Sequence, residues 1–158
     1  MSSRKIAVFP GSFDPFTRGH ESVVNKALGL FDEIVIGIGE NASKNYLFNL
    51  NQRMGFIKKV FASEPKIKVV SYSGLTVDLC KSLGAQYILR GLRNSADFGF
   101  ERSIAHMNLA MNPHVETVFL LTEPELSAIS STIIREIIKS NGNVQAFVPK
   151  GMFDSPDN

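Results

Sequence analysis

The 158-residue sequence has one cysteine, Cys80, and no tryptophan. A lone cysteine excludes an intrachain disulfide framework and any zinc site built on several cysteines, and it suits a reducing compartment. Charge of one sign is scarce too: 17 Lys and Arg stand against 15 Asp and Glu, a formal net charge of +2. So small an excess does not mark a nucleic-acid binder, although a few local basic residues suffice for a small polyanion. No apolar run approaches the ~18 residues of a membrane span. The opening MSSRKIAVFPGSFD has a short basic lead, but Pro10 and Gly11 cut its apolar stretch too early for a secretory signal. A cytoplasmic protein with no membrane or nucleic-acid partner is expected. Repeats, charge blocks and low-complexity segments are absent, and 44% hydrophobic with 20% charged residues excludes a disordered chain, a collagen and a coiled coil. The P-loop pattern is missing, and Gly37-Ile38-Gly39 lacks the last glycine of a dinucleotide fingerprint. His106 and His114 have no ligand spacing to each other or to Cys80, so no metal-binding residue is expected.

What is present is an alternation of strand and helix patterns. Segments 5–9, 33–39, 67–72, 86–89 and 115–121 read as strands, several of them Val/Ile-rich in the manner of strands covered on both faces. Pro10-Gly11 is read as ending the first. Between them, apolar residues recur at helical spacing: Val23, Val24, Ala27, Leu28 and Phe31; Leu50, Met54, Ile57 and Phe61, entered through Asn49 and Gln52 as a capping box; Val77, Leu79, Cys80 and Leu83; Phe100, Ile104, Met107 and Met111; Ile133, Ile134, Ile137 and Ile138. Each stripe is expected to pack into the core, with Cys80 as a buried small apolar residue. The order predicts an α/β, Rossmann-like single domain over residues 1–158: a five-stranded parallel sheet of order 3-2-1-4-5, helices on both faces, and residues from about 150 on as a loose tail. Ligands of such sheets bind beyond the carboxyl ends of strands one and four, at the switch point.

Three loops there carry chemistry. After strand one comes Pro10-Gly11-Ser12-Phe13-Asp14-Pro15-Phe16-Thr17-Arg18-Gly19-His20, running into a helix. It reads either as a turn with an N-terminal cap, or as an anion site in which Gly11 permits close approach, Ser12 donates and His20 sits among free helix N–H groups. Arg90-Gly91-Leu92-Arg93 follows strand four and suits a multi-oxygen anion if the fold brings it beside the first loop. After strand five, Ser130, Ser131 and Thr132 open a helix; one hydroxyl suffices for the cap, and the surplus points to phosphate. Lys44 adds a loop cation on the same rim.

Thr17-Arg18-Gly19-His20 and Ile129 through Arg135 resemble the [HT]-x-G-H and I-S-S-T-x-x-R signatures of the nucleotidylyltransferase superfamily. The P-G-S-F-D-P start, Ser43-Lys44, Arg90 to Arg93 and Ala105-His106-Met107-Asn108 are similar to those of the phosphopantetheine adenylyltransferase family, in register from about Lys5 to Pro149. The resemblance implies reversible, direct in-line transfer of AMP from ATP to 4′-phosphopantetheine, giving dephospho-coenzyme A and pyrophosphate. It implies Mg²⁺ carried mainly by ATP, coenzyme A as a competing ligand, and a homohexamer. His20 would stabilise the transition state, with Lys44 near the reacting phosphates. Ser12, Lys44, Thr76 and Arg90 would hold phosphopantetheine. Ser12, Phe13, His20, Gly91, Leu92, Arg93, Glu101 and the stretch Leu126, Ser127, Ala128, Ile129, Ser130, Ser131, Thr132 would hold ATP. Asn45, Tyr46, Gly74, Leu126 and Arg18 depart from the family's usual residues. A superfamily member with another acceptor, such as nicotinamide mononucleotide or a polyol phosphate, and a non-catalytic adenine-nucleotide sensor are the alternatives.

Overall fold

The computed structural model describes residues 2–154. Strands β1 (Ile6–Gly11), β2 (Glu33–Gly39), β3 (Ile67–Tyr72), β4 (Tyr87–Leu92) and β5 (Glu116–Leu121) pair in parallel in the order β3-β2-β1-β4-β5. Helices α1 (Arg18–Ala27), α2 (Leu50–Val60), α3 (Thr76–Leu83), α4 (Ser95–Met111) and α5 (Ser131–Lys139) connect or follow them. The topology is the one the alternation predicts.

Two cores sandwich the sheet. Ala7, Phe9, Ile34, Ile36, Ile38 and Leu89 join Val23, Val24 and Ala27 of α1, Ile57 of α2 and Ile134 of α5 on one face. The alternate residues Val8, Val35 and Ile88 join Val77 and Cys80 of α3 on the other. Double burial is why these strands read as Val/Ile runs instead of alternating with polar residues. Cys80 is buried as expected, and burial raises its thiol pKa to about 11.

The strand ends differ from expectation. β1 continues through Pro10 and Gly11, and β4 takes in Arg90, Gly91 and Leu92, so only Arg93 of that segment lies beyond the strand. The pairings explain both. The β1–β2 ladder runs to Gly11↔Ile38 and the β4–β5 ladder to Leu92↔Leu121, but β1 and β4 pair only at Ala7↔Tyr87 and Val8↔Ile88. Past Val8 the half-sheets part. Pro10 has no N–H to offer β4, and its carbonyl, which faces that side, instead accepts from the Arg90 guanidinium at 2.7 Å. The crevice at the switch point is therefore a gap in the ladder.

The apolar stripe of α4 is a correction. None of its residues is buried, and Phe100 and Met107 are 72% and 63% exposed. These residues stay exposed, so periodicity there reports an apolar face without an intrachain cover among the described residues. Within the segment expected as a tail, Met152 is buried and Phe153 packs on Phe48 and Phe56 at ring distances of 5.6 and 5.0 Å. The aromatic cluster accounts for this order; residues 155–158 lie outside the described residues.

Candidate active site

The first loop is shaped by its own side chains. Phe13 has φ +50°, a backbone state costly for a non-glycine residue. Its ring lies over Gly11, where an added Cβ would meet ring carbons at 2.8–3.1 Å. The glycine is thus needed to make room for the Phe13 ring. Thr17 caps α1, accepting from the His20 N–H, while His20 Nδ1 accepts from the Thr17 N–H at 3.0 Å. This is a capping box in which histidine stands where Glu or Gln usually does. Acceptance at Nδ1 leaves the proton of a neutral imidazole on Nε2. Burial first, then the charges of Arg90 and Arg93, bring the His20 pKa down to about 3. His20 is a neutral Nε2–H donor.

Across the gap, Arg90 is fully oriented. Nε and Nη2 bind both oxygens of Glu101 at 2.9 and 2.6 Å, and Nη1 binds the Pro10 carbonyl. A bidentate pair of this kind fixes the guanidinium plane. Gly91 behind it faces Val23, with an added Cβ only 2.7 Å from a Val23 methyl, so α1 seats close against β4. Arg93 is held by Asp97: its N–H donates to the carboxylate at 2.9 Å and its guanidinium lies 3.4 Å away. Burial alone would push the Asp97 pKa up, but the Arg93 N–H and charge outweigh it and hold the carboxyl below its usual range.

The hydroxyls opening α5 are largely engaged. Ser130 caps the Ile133 N–H, Ser131 donates to the Pro15 carbonyl at 2.8 Å, and Thr132 accepts from Arg135. What α5 offers freely is the N–H groups of Ser131 and Thr132 in its first turn. Arg135 also donates to the Asp14 carbonyl. The Asp14 carboxylate in turn accepts the N–H groups of Leu47 and Phe48, tethering the loop that carries Lys44.

These elements enclose two cavities beyond the strand ends. One, of about 540 Å³, is lined by Ser12, Lys44, Thr76 and Arg90, with Tyr46 and Tyr72. The other, of about 340 Å³, is lined by Ser12, Phe13, His20, Arg93 and the start of α5. Pro10, Gly11, Ser12, Arg90 and Glu101 belong to both and form their common wall.

Comparison with known proteins decides the family. The sequence matches the Cytidylyltransferase-like family over residues 8–137. The phosphopantetheine adenylyltransferase of Flavobacterium psychrophilum is 53% identical over 92% of this chain and 96% of its own length. The chain belongs to the phosphopantetheine adenylyltransferase family. The Bacteroides fragilis member is 49% identical over 92% of this chain and 97% of its own. In fold alone, the chain is similar to a crystal structure of a bifunctional NMN adenylyltransferase/ADP ribose pyrophosphatase from Francisella tularensis. That likeness has a TM-score of 0.74 at 15% identity and covers 94% of this chain and 46% of the other.

For a phosphopantetheine adenylyltransferase, the residues named from sequence fall into two groups. Ser12, Lys44, Thr76 and Arg90 share the larger cavity. Ser12, Phe13, His20, Gly91, Arg93, Glu101, Ile129, Ser130, Ser131 and Thr132 share the smaller. Leu92 and Leu126 are buried, and Leu126 lines a separate hollow beside Arg18 and Lys26. Neither Ser127 nor Ala128 lines the two cavities. Sequence reasoning gave no role to Asp14, Arg53, Asp97 or Arg135. Asp97, four residues after Arg93, carried a detectable signal at i,i+4 spacing; Asp14 and Arg53 act over more than thirty residues of chain and carried none.

Proposed function

We propose that this protein reversibly transfers the adenylyl group of ATP to 4′-phosphopantetheine, giving dephospho-coenzyme A and pyrophosphate. The observation that carries the reading is the pair of adjoining cavities over one shared wall, with Lys44 on one side and Arg93 on the other, in a chain about half identical to phosphopantetheine adenylyltransferases. An acceptor phosphate oxygen attacks the α-phosphorus as the α–β bridging bond breaks and its electron pair leaves with pyrophosphate; no enzyme adduct forms. A phosphate monoester is already ionised near pH 7, so the site needs no general base. It needs positioning and charge stabilisation. Ser12, Lys44, Thr76 and Arg90 hold the acceptor. Arg93, the Phe13 N–H and the α5 N-terminus hold the nucleotide, and His20 donates Nε2–H to a non-bridging oxygen of the α-phosphoryl group. Glu101, with both oxygens on Arg90, serves by orienting that guanidinium. As the family resemblance implies, Mg²⁺ would be carried mainly by ATP; Glu101, Asp97 and Asp14 already spend their carboxylates on protein partners, and of the carboxylates lining the two cavities only Glu40, on the larger, has no partner among the described residues.

The bare apolar face of α4 supports a homo-oligomer; its hexameric order rests on the family resemblance alone. The scarcity of cysteine supports the cytoplasm, and no helix among the described residues is long and apolar enough to cross a membrane. Coenzyme A, which shares the pantetheine arm and adenine, is expected to compete for the site. Pyrophosphate release from ATP is the test. Release only with 4′-phosphopantetheine supports the reading. Release with nicotinamide mononucleotide or a polyol phosphate instead moves the protein elsewhere in the superfamily, and nucleotide binding without release makes it a sensor.

A further inference from the structure

Arg53 lies on α2 and is 2% exposed. Among the described residues no carboxylate lies within ion-pair distance of it. A buried guanidinium without an anionic partner is unusual, because desolvating a charge is costly unless something answers it. Here its donors go to two main-chain carbonyls: Nε to Phe48 at 3.0 Å and Nη1 to Ser12 at 2.8 Å. Its Cζ lies over the Tyr46 ring, 4.0 Å from the ring centre.

The Ser12 bond has a geometric consequence. The Ser12 carbonyl and the Phe13 N–H belong to one trans peptide plane and point in opposite directions. With the carbonyl drawn toward α2, the N–H is turned away from it. That N–H has no protein acceptor among the described residues. The Phe13 ring is spent on packing against Phe9, Phe16 and His20, so what Phe13 brings to the smaller cavity is main chain. The positive φ of Phe13 makes this orientation one the loop would not hold unaided.

We propose that Arg53 is a positioning residue of the transfer site: it fixes the Ser12–Phe13 peptide so that the Phe13 N–H is presented to the nucleotide phosphates as a preformed donor. The proposal rests on the adenylyl-transfer reading, and the experiment separates the two. Wild type, Arg53→Lys and Arg53→Met are compared by turnover at saturating substrates, by thermal melting, and by hydrogen exchange at the Phe13 amide with and without ATP. In wild type, ATP should slow exchange at that amide at least tenfold; in Arg53→Met it should not. Arg53→Met should lose ten- to a hundredfold in kcat while folded, and Arg53→Lys, which still brings a donor to Ser12, should recover part of that. A wild-type Phe13 amide left unprotected by ATP overturns the proposal, as does an Arg53→Met variant with wild-type kcat. So does activity lost only in proportion to unfolded protein. If Arg53→Met fails to fold, the wild-type exchange and Arg53→Lys decide. A wild type that binds ATP but does not turn over defeats the adenylyl-transfer reading, and exchange at Phe13 still judges Arg53.

Discussion

Histidine at the third position of α1 does two jobs with its two nitrogens. Nδ1 completes the cap by accepting the Thr17 N–H, and that bond leaves Nε2–H for the cleft. A donor aimed at developing charge acts on kcat more than on ground-state binding. By analogy with loss of one oxyanion donor, His20→Ala should lower kcat roughly 10²–10³-fold, about 2.7–4 kcal/mol, with a far smaller change in the ATP dissociation constant. Steady-state kinetics beside calorimetry checks it, and a variant that loses only ATP affinity would reduce His20 to a ground-state contact. The depressed pKa also predicts a pH dependence. The folded imidazole stays neutral down to about 3, whereas the unfolded one takes a proton near 6.5. Its contribution to stability is therefore complete above pH 6.5 and is lost as pH falls toward 3, by up to about 1.4 kcal/mol per pH unit. His20→Gln keeps a capping-box acceptor without a titrating ring. Its melting temperature should fall less steeply than wild type between pH 6.5 and 4. Parallel curves would refute the assignment. The two arginines divide unequally. Arg93 lines only the smaller cavity, so Arg93→Ala should weaken ATP binding alone. Arg90 stands in the common wall, so Arg90→Ala should weaken both ligands. Each lost charge-assisted contact should cost about 1.5–3 kcal/mol, read by titrating each ligand separately. Arg90→Ala with unaltered ATP affinity would show that the wall serves one side only.

At the scale of elements, the seating of α1 on β4 decides where His20 arrives. Gly91 leaves no room for a methyl group beside Val23. Gly91→Ala should cost about 1–3 kcal/mol by overpacking, and Val23→Ala in the same chain should return most of it. Denaturant unfolding of the two single variants and the double variant tests this; additive losses would mean that the contact is not the cause. The elements themselves were legible in sequence because strands buried on both faces are written in Val and Ile and helices in a period near 3.6. The ends of β1 and β4 were not legible, since Pro and Gly usually close a strand. Here the missing Pro10 N–H falls on the side where the ladder has already parted. Arg53 was invisible for a related reason. Beside the stripe of Leu50, Met54 and Ile57 it reads as a solvated residue, and its partner Ser12 is 41 residues away. The loops of the site were legible as loops, but the engagement of the α5 hydroxyls with Pro15 and Arg135 was not, because pairing across the fold leaves no local pattern.

For the whole molecule, α4 carries apolar surface that no other part of the described chain buries. Phe100, Ile104, Met107 and Met111 expose apolar surface along one face of the helix, and Leu121 at the end of β5 is exposed too. A contiguous face of this kind marks an association surface. Light scattering should return an oligomer at micromolar concentration, and Phe100→Glu with Met107→Glu should yield smaller species that keep the far-ultraviolet signature of the fold. A wild-type monomer would contradict it. Periodicity told that this helix has an apolar side; it had no means of telling that no other part of the described chain covers it.

The last helix reaches back a long way: Arg135 to the Asp14 carbonyl across 121 residues, and Ser131 to Pro15 across 116. For a chain emerging from the ribosome, this fixes the moment at which the site comes into being. The Asp14 and Pro15 carbonyls are synthesised early and stay without these partners until α5 follows. The smaller cavity has its far side only when α5 has left the exit tunnel and docked. A nascent chain therefore lacks the smaller cavity until α5 has been made.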